Sequence, residues 1–226
     1  MNSVFSYKLS KISSVVHGFL NKRFVGESIE AAHYFGLNEI ATLKQIHSNS
    51  VFIIKDKFNS DKEENGDAIV SSLRNLGIGV YTADCLPILL ADRNAAVVAV
   101  VHAGWRGTLL QIAESTLLRM GKNFGIESNN VFAAIGPSIG RCCYEVGQDV
   151  AKQYMNKFED WDTYLFKKNG SKFMLDLREA NRLGLKMAGV KEVEVIDICT
   201  KCNKEFHSFR RDGKGVGKQL SLIGLV

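Results

Sequence analysis

Apolar residues recur along the chain with two periods, which predicts a mixture of strands and helices. Short apolar or alternating runs bounded by turn residues are typical of strands. The predicted strands are Val51–Ile54, Ile78–Tyr81, Ile88–Leu90, Ala95–Val101, Val131–Ile135, Val193–Ile198, Phe206–Arg210 and Leu220–Val226. The turn-like residues Asp92, Arg93 and Asn94 predict that the third and fourth of these strands form a hairpin.

Three stretches have the spacing of amphipathic helices. They run from Leu109 to Met120, from Gly147 to about Lys157, and from Asp176 to about Met187. Gly121 can end the first helix, and Asp176 with Glu179 forms a capping-box-like start for the third. Because strands and helices intermix without strict alternation, we expect an α+β fold with mixed sheets, formed by a single catalytic domain over residues 1–226.

Composition and charge narrow the class of protein. The 226 residues are 46% hydrophobic and 23% charged, as in ordinary globular proteins, and the polar stretch Asn59–Gly66 predicts a surface loop. The net charge is +5, and the basic residues are interspersed with acidic ones, so we expect no nucleic-acid partner. The start Met1–Ser6 does not resemble a signal peptide, and no apolar run is long enough for a membrane span. These features and the odd number of cysteines, five, predict a cytoplasmic protein with free thiols.

Three candidate metal ligands follow or end predicted strands. Cys85 lies where a strand ends, next to Asp84 and shortly before Pro87. His102 ends a fully apolar strand, and His47 follows the polar pair Lys44-Gln45 and Ile46. Each residue alone also fits a packed histidine or a buried thiol. Together, two imidazoles and one thiolate match a catalytic zinc site, which has three protein ligands and an open position where water has a pKa near about 7.

Other charged residues are candidates for substrate binding and catalysis. Arg106 follows Gly104 at the start of a predicted helix, where free N–H groups favour an anion such as phosphate. Arg210 and Arg211, with Lys218 nearby, form a basic run that we expect to help bind an anion or the segment that orders the site. Asp84 could orient a ligand or act as an acid–base group, or it could be an ordinary acid at a strand end.

Two further segments lie outside the predicted ligand set. The stretch Gly136–Gly147 has glycines at both ends and contains Cys142 and Cys143, so we interpret it as a shaped loop. The pair Cys199 and Cys202 has CxxC spacing. We interpret this pair as structural, because a single CxxC is weak evidence for zinc.

In combination and in order, several motifs resemble one bacterial family. They are Gln45-Ile46-His47, Gly66-Asp67-Ala68, Thr82–Pro87, His102–Gly107, Gly136–Gly147, and Cys199-Thr200 with Phe209–Gly213. The family comprises the laccase-domain, or multicopper polyphenol oxidoreductase, proteins, also described as purine nucleoside phosphorylases and peptidoglycan editing factors. The resemblance implies one zinc on His47, Cys85 and His102, and an α/β sandwich similar to a toxin deamidase domain. It also implies phosphorolysis of adenosine, inosine and methylthioadenosine, deamination of adenosine, and purine nucleoside and phosphate as small-molecule partners.

The chain departs from the family pattern at two places. An upstream Asn-Arg pair of many members is replaced by Gly26–Glu30, and the final arginine of a Thr-Gly-Arg motif is Lys218. Three other functions remain open. A copper-dependent phenol oxidase could use the same three ligands, although multicopper centres need many histidines and this chain has five. A metal-free cysteine amidase acting in peptidoglycan editing could use Cys85 with His102, and a non-enzymatic binding protein is the last alternative.

Overall fold

A computed structural model describes residues 2–58 and 64–226 of the chain, so residues 59–63 of the predicted surface loop lie outside it. The strands are β1 (Ser3–Val4), β2 (Val15–Leu20), β3 (Glu39–Ala41), β4 (Val51–Ile54), β5 (Ala68–Ser71), β6 (Leu76–Thr82), β7 (Leu86–Asp92), β8 (Val98–Ala103), β9 (Val131–Ile135), β10 (Glu145–Val146), β11 (Leu165–Lys167), β12 (Phe173–Leu175), β13 (Glu192–Val195) and β14 (Gln219–Leu225). The α-helices are α1 (Ser28–Tyr34), α2 (Trp105–Leu109), α3 (Ile112–Phe124), α4 (Gln148–Lys157), α5 (Leu177–Met187) and α6 (Phe209–Asp212). Short 3-10 helices cover Leu9–Lys11, Ser128–Asn130 and Trp161–Thr163.

Two large mixed sheets form the centre of the fold. One has the order β1-β2-β14-β6-β3 and the other β13-β9-β7-β8-β5-β4, while β10-β12-β11 make a small third sheet. The pairs β3–β6, β4–β5 and β13–β9 are parallel, and the other strand pairs are antiparallel. Such mixed pairing is what the irregular order of strands and helices along the sequence predicts.

The two large sheets pack face to face, and helices cover their outer faces. Ile78 and Ile223 of the first sheet share a buried cluster with Leu89 and Val100 of the second. Alternate residues of β7 and β8 point the other way and pack against α3 and α5, as period-two strands require. α1 covers the outer face of the five-stranded sheet. The predicted mixed-sheet α/β sandwich is therefore confirmed, and its similarity to a toxin deamidase stays a prediction.

The helices α2 and α4 and the small sheet form a further apolar cluster beside the sandwich. Buried residues of α4, β11 and β12 pack together with Trp105 of α2 and with Tyr144. The hydroxyl of Tyr154 in α4 donates a hydrogen bond to the Trp105 carbonyl oxygen over 2.7 Å. This contact fixes the position of α2, and therefore of Arg106, relative to the sheets.

The predicted hairpin and the cap by Asp176 are confirmed, whereas the predicted capping box with Glu179 does not form. β7 and β8 are antiparallel, with Ile88 opposite Val101. The Asp176 carboxylate accepts the backbone N–H groups of Arg178 and Glu179, and so it caps α5. The Glu179 carboxylate binds Arg182 instead of completing a capping box.

Three of the predicted elements differ most from the structure. The predicted helix from Leu109 to Met120 is two helices, because Gln111 has a left-handed φ of 59° that interrupts it. The predicted strand Phe206–Arg210 is wrong: its last residues begin α6, which Ser208 caps by accepting the Arg211 N–H. The predicted strand Val193–Ile198 ends early, at Val195.

The helices in the described part of the chain include none that is long and apolar enough to cross a membrane.

Candidate active site

The candidate metal ligands meet where the chain passes from one large sheet to the other. β6 ends at Thr82, and residues 83–85 lead directly into β7 of the second sheet, which places Cys85 at the crossing. His102 lies on the neighbouring strand β8, opposite Pro87. His47 comes from the loop between β3 and β4. The donor atoms of His47, Cys85 and His102 all lie within 4.8 Å of one another, so the structure brings the three predicted ligands together.

The local backbone is shaped for this convergence. His47 and Asp84 have φ values of 58° and 89°, in the left-handed region that side-chain-bearing residues rarely adopt. Gly104 lies against the cluster: a Cβ there would be 3.2 Å from the Cys85 Sγ and 3.3 Å from the His47 ring. Strained backbone and a close glycine at one place are typical of functional sites.

Asp67, a buried residue just before β5, orients two of the ligands. Its Oδ1 accepts the ring Nδ1–H of His102 over 2.8 Å and the backbone N–H of His47 over 2.9 Å. Its Oδ2 accepts the backbone N–H and the hydroxyl of Ser48 over 2.6 and 2.8 Å. With Nδ1 held by the carboxylate, the Nε2 of His102 is left for the cluster, as in metal sites where a carboxylate fixes the histidine tautomer.

The ionisation of Asp67, His102 and Cys85 is linked. Burial raises the pKa of Asp67, but hydrogen bonds from His102 and Ser48 outweigh it and lower that pKa to about 2. Burial lowers the pKa of His102, whereas Asp67 and Cys85 together raise it to about 9. Burial likewise opposes the Cys85 thiolate, yet hydrogen bonds from His102 and His47 lower the pKa of Cys85 to about 6.

The charge pattern fits a bound cation. At neutral pH the cluster holds a thiolate next to a positive charge on His102. A metal ion can supply that positive charge in place of the imidazolium proton, because thiolate and neutral imidazole are the forms that bind metals. Two histidines and one cysteine suit zinc, and three protein ligands leave one position open.

A cavity of about 560 Å³ opens beside the three ligands. This is within the size range of small-molecule pockets. Aromatic residues and cations line it along with the ligands: Tyr81, Trp105, Tyr144, Phe209, Arg106, Arg210 and Lys218. The Arg106 guanidinium lies 4.3 Å from the centre of the Trp105 ring, and that of Arg210 lies 5.3 Å from the centre of the Tyr144 ring. The cavity therefore offers both flat apolar faces and positive charge.

Asp84 lines the cavity, but other protein groups already bind both of its carboxylate oxygens. Oδ1 accepts the Thr200 hydroxyl over 2.6 Å and Oδ2 accepts the Arg210 backbone N–H over 2.7 Å. Its backbone oxygen accepts the N–H of Ile139. Asp84 thus joins the crossing between the sheets to α6 and to two loops.

Arg211 does not line the cavity. Its guanidinium donates to the backbone oxygens of Thr200 and Phe206 over 2.8 and 2.7 Å, and it pairs with Asp212.

The structure places the residues predicted from the sequence in three groups. His47, Cys85 and His102 converge. Arg106, Arg210 and Asp84 line the cavity, and Arg211 holds the loop before α6.

The sequence alone did not indicate a role for Asp67 or for the aromatic residues of the cavity lining. The available signal for Asp67 was an acidic residue directly before an apolar run, at Gly66-Asp67-Ala68. Many surface turns have the same pattern, so this signal does not identify a group that orients a ligand.

The fold and the site together define the class of protein: an α/β sandwich in which two histidines and a cysteine meet at the sheet crossing and form a candidate metal centre in the lining of a cavity. The chain belongs to the multi-copper polyphenol oxidoreductase laccase family, whose model matches residues 23–226.

Named relatives and solved structures are similar over most of the chain. A purine nucleoside phosphorylase of Clostridium acetobutylicum is 35% identical, over 84% of this chain and 78% of the relative. Adenosine deaminase RL5, from an unknown prokaryotic organism, is 36% identical over 83% of this chain and 75% of its own length. The crystal structure of a hypothetical protein YfiH from Bacillus licheniformis has a TM-score of 0.86 at 28% identity, covering 94% of this chain and 93% of the other.

Proposed function

We propose that the chain is a zinc-dependent enzyme acting on purine nucleosides. The proposed reactions are phosphorolysis of adenosine, inosine or methylthioadenosine, and deamination of adenosine. The observation that carries this proposal is the convergence of His47, Cys85 and His102 at the wall of a cavity that also presents aromatic rings and cations. The names of the relatives, purine nucleoside phosphorylase and adenosine deaminase, support the same substrate class.

The donor set supports zinc as the metal, held by His47, Cys85 and His102. When bound, zinc supplies a Lewis acid that stabilises negative charge on a ligand at its open position. Asp67 keeps His102 in the ligand tautomer, and the low pKa of Cys85 keeps the thiolate available near neutral pH. Copper can occupy the same three ligands, because its affinity for nitrogen and sulfur donors exceeds that of zinc.

The aromatic residues of the cavity wall would bind the purine. Trp105, Tyr144 and Phe209 present side chains to the same space, and stacking of a base on one aromatic ring contributes about 1–3 kcal/mol. The stacking is tolerant of the substituent at C6, because every purine has the same flat face. This fits a substrate set that includes both adenosine and inosine.

The three cations of the cavity would bind phosphate. Arg106, Arg210 and Lys218 are the Arg and Lys side chains among the described residues lining the cavity. In phosphorolysis a phosphate oxygen forms a bond to the ribose C1′ while the bond from C1′ to the purine nitrogen breaks, and the base leaves with the electron pair. Holding phosphate against the ribose makes this step effectively unimolecular. Charge-assisted hydrogen bonds from arginine are suited to this task.

Asp84 and Arg211, both predicted as site residues, are proposed to act as positioning residues. Asp84 fixes the backbone of Arg210 through its N–H, and Arg211 fixes the loop that carries Thr200. Their effect on substrate would therefore pass through the placement of α6.

The test is incubation of metal-quantified protein with a panel of purine nucleosides, with and without phosphate, resolving the products by mass. We expect free base and ribose 1-phosphate only when phosphate is present. His102→Ala should abolish turnover, because it removes a ligand. Arg106→Ala should reduce phosphorolysis at least tenfold and affect deamination less, because water attack at C6 needs no phosphate. Arg119→Ala, which removes an exposed arginine of α3, is the matched control.

The contrary result would be no phosphate-dependent base release from any nucleoside, with phenol oxidation in proportion to bound copper. That outcome would show that the protein is a copper-dependent phenol oxidase and not a nucleoside enzyme.

A second candidate function is a metal-free cysteine hydrolase or amidase. It is favoured by one observation. The donor atoms of Cys85 and His102 lie within 4.8 Å of each other, and the His102 Nδ1–H donates to Asp67, which has the order nucleophile, base and orienting acid. Metal-stripped protein distinguishes the two functions. A hydrolase would keep its activity without metal and lose it on alkylation of Cys85, whereas the nucleoside enzyme would lose turnover with its metal.

A further inference from the structure

A second cluster of metal-binding side chains lies outside the cavity lining. Cys142 and Cys143 belong to the loop after β9, and Cys199 and Cys202 belong to the turn after β13. The four sulfur atoms lie within 4.8 Å of one another. Two pairs from loops about 60 residues apart in sequence therefore converge on one point.

The spacing of the sulfurs fits a shared metal ion better than disulfides. Tetrahedral zinc with bonds of about 2.3 Å places its sulfur ligands about 3.8 Å apart. The Sγ of Cys202 lies 3.4 Å from that of Cys143 and 3.8 Å from that of Cys142. A disulfide would require about 2.05 Å between two sulfurs.

The backbone around the sulfurs is arranged for thiolates. The N–H of Gly140 points at the Sγ of Cys199 over 3.2 Å, and the two loops pair as a short parallel bridge at Ser138 and Cys199. A Cβ on Gly140 would lie 3.3 Å from the Cys199 Cβ and 3.4 Å from the Cys142 Sγ. The close approach of the two loops thus depends on a glycine at this position.

A buried arginine holds the same two loops beneath the cluster. Arg178 donates to the Ser138 hydroxyl over 3.0 Å and to the carbonyl oxygens of Ser138 and Ile198 over 2.8 and 2.6 Å. Its guanidinium also pairs with the Asp197 carboxylate, directly before Ile198, which further fixes the second loop.

We propose that Cys142, Cys143, Cys199 and Cys202 bind one Zn²⁺ in a closed structural site. Four thiolates fill the tetrahedral coordination of zinc and leave no open position, which is the pattern of structural rather than catalytic zinc.

The ion would hold one wall of the cavity in place. Tyr144, which lines the cavity, follows Cys143 directly, and Thr200, which donates to Asp84, follows Cys199 directly. Joining the two loops through a metal fixes both neighbours relative to the sheet crossing. Cys199 and Cys202 alone supply two ligands, and the fold completes the set of four by bringing Cys142 and Cys143 next to them.

The experiment separates this site from the cluster at the sheet crossing. Cys85→Ala protein, purified under reducing conditions, loses a ligand of the first site and keeps all four cysteines of the second. We expect elemental analysis to find about one zinc per chain in this variant. X-ray absorption should show only sulfur ligands, at about 2.3 Å. Adding Cys142→Ser and Cys202→Ser should remove the zinc, whereas adding Lys201→Ser, in the same turn, should not.

The inference is overturned if folded Cys85→Ala protein contains no zinc, or if the metal has nitrogen ligands. Intact mass showing two disulfides in place of free thiols would overturn it as well. Because the decisive sample retains all four cysteines, the result does not depend on whether the serine variants fold. The outcome also leaves the nucleoside proposal untouched, since that proposal depends on the other cluster.

Discussion

Asp67 determines which nitrogen of His102 faces Cys85, because the carboxylate accepts the Nδ1–H. We expect Asp67→Asn to lower metal affinity or turnover about 10- to 100-fold, the usual effect of losing a group that orients a ligand. Metal titration and nucleoside turnover measure this. Asp92→Asn is the matched control, since Asp92 is another buried acid, at the far end of β7, that accepts backbone N–H groups. Equal metal affinity in the Asp67 and Asp92 variants would exclude the orienting role.

His17 makes a second residue-scale prediction, on stability against pH. Burial lowers its pKa from 6.5 to about 4, and its Nε2 accepts the Ser6 N–H and must therefore be unprotonated. The native state takes up this proton only near pH 4, whereas the unfolded chain does so near 6.5. The contribution of His17 to the free energy of unfolding should therefore be constant above about pH 6.5 and fall between there and pH 4, by at most about 3 kcal/mol.

Urea unfolding at several pH values checks this expectation. His17→Gln should flatten the slope between pH 6.5 and 4.5, and His33→Gln, an exposed histidine of α1, should not. The nearby Glu194 carboxylate has a pKa below its usual value of 4.5, so its own effect on stability comes at lower pH. An unchanged slope in the His17 variant would show that another group causes it.

The sequence was most informative at the scale of single ligands. His47, Cys85 and His102 could be identified as candidate ligands because thiolate and imidazole near strand ends are chemically distinctive, and the structure brings them together, while their binding of a metal stays a prediction. Asp67 could not, because its role depends on the pairing of β5 with β8, which brings residues 35 apart in sequence into contact. Arg211 was predicted to help bind an anion or the segment that orders the site, and its guanidinium donates to backbone oxygens that only the folded loop brings to it.

At the scale of elements, the helix α6 forms where the sequence predicts the end of a strand, and the buried carboxylate of Asp84 contacts it. The alternation of Phe206, Ser208 and Arg210 favours a strand, but Ser208 caps a helix and Asp84 binds the Arg210 N–H. The Ser208 cap is local, but Asp84 lies at the sheet crossing more than 100 residues earlier in the sequence, so local pattern does not reveal its contact. By contrast, β7 and β8 were predicted well, because their hairpin is local and their runs are apolar on both faces.

Thr200→Val tests whether this element positions the substrate. The change removes the hydroxyl that donates to Asp84 Oδ1 and leaves a buried carboxylate oxygen unpaired, at a cost of about 1–3 kcal/mol. We expect lower stability. The KM for the nucleoside should rise several-fold, because Phe209 and Arg210 shift with α6, while the zinc content should not change. Thr116→Val is the control, since its hydroxyl donates only to the Ile112 carbonyl within α3. A Thr200 variant with wild-type KM would argue against a positioning role for α6.

At the scale of the whole molecule, the candidate centre joins parts that the sequence does not relate. The mixture of strand and helix periods in the sequence predicts a mixed α/β sandwich, but it does not predict the order of the strands in the two sheets. β14, the last strand, pairs with β2 and β6, and such distant pairings leave no local signal. His47 and Cys85 lie in two connections between the large sheets, β3 to β4 and β6 to β7, and His102 lies on β8 of the six-stranded sheet. A metal on these ligands would tie both connections to β8.

Removal of that metal should therefore lower global stability as well as activity. An ion that binds only the native state stabilises it by about 2.7 kcal/mol when its free concentration is about 100 times its Kd. For a chain of this length each kcal/mol changes the Tm by about 2–4 °C, so chelation should lower the Tm by roughly 5–10 °C. Calorimetry in a Cys142→Ser/Cys202→Ser background isolates the effect from the four-cysteine cluster. The same background with Cys85→Ala should unfold at one temperature with or without chelator. If chelation removes zinc from the first protein and leaves its Tm unchanged, the three ligands hold their geometry without metal, and the fold alone organises the site.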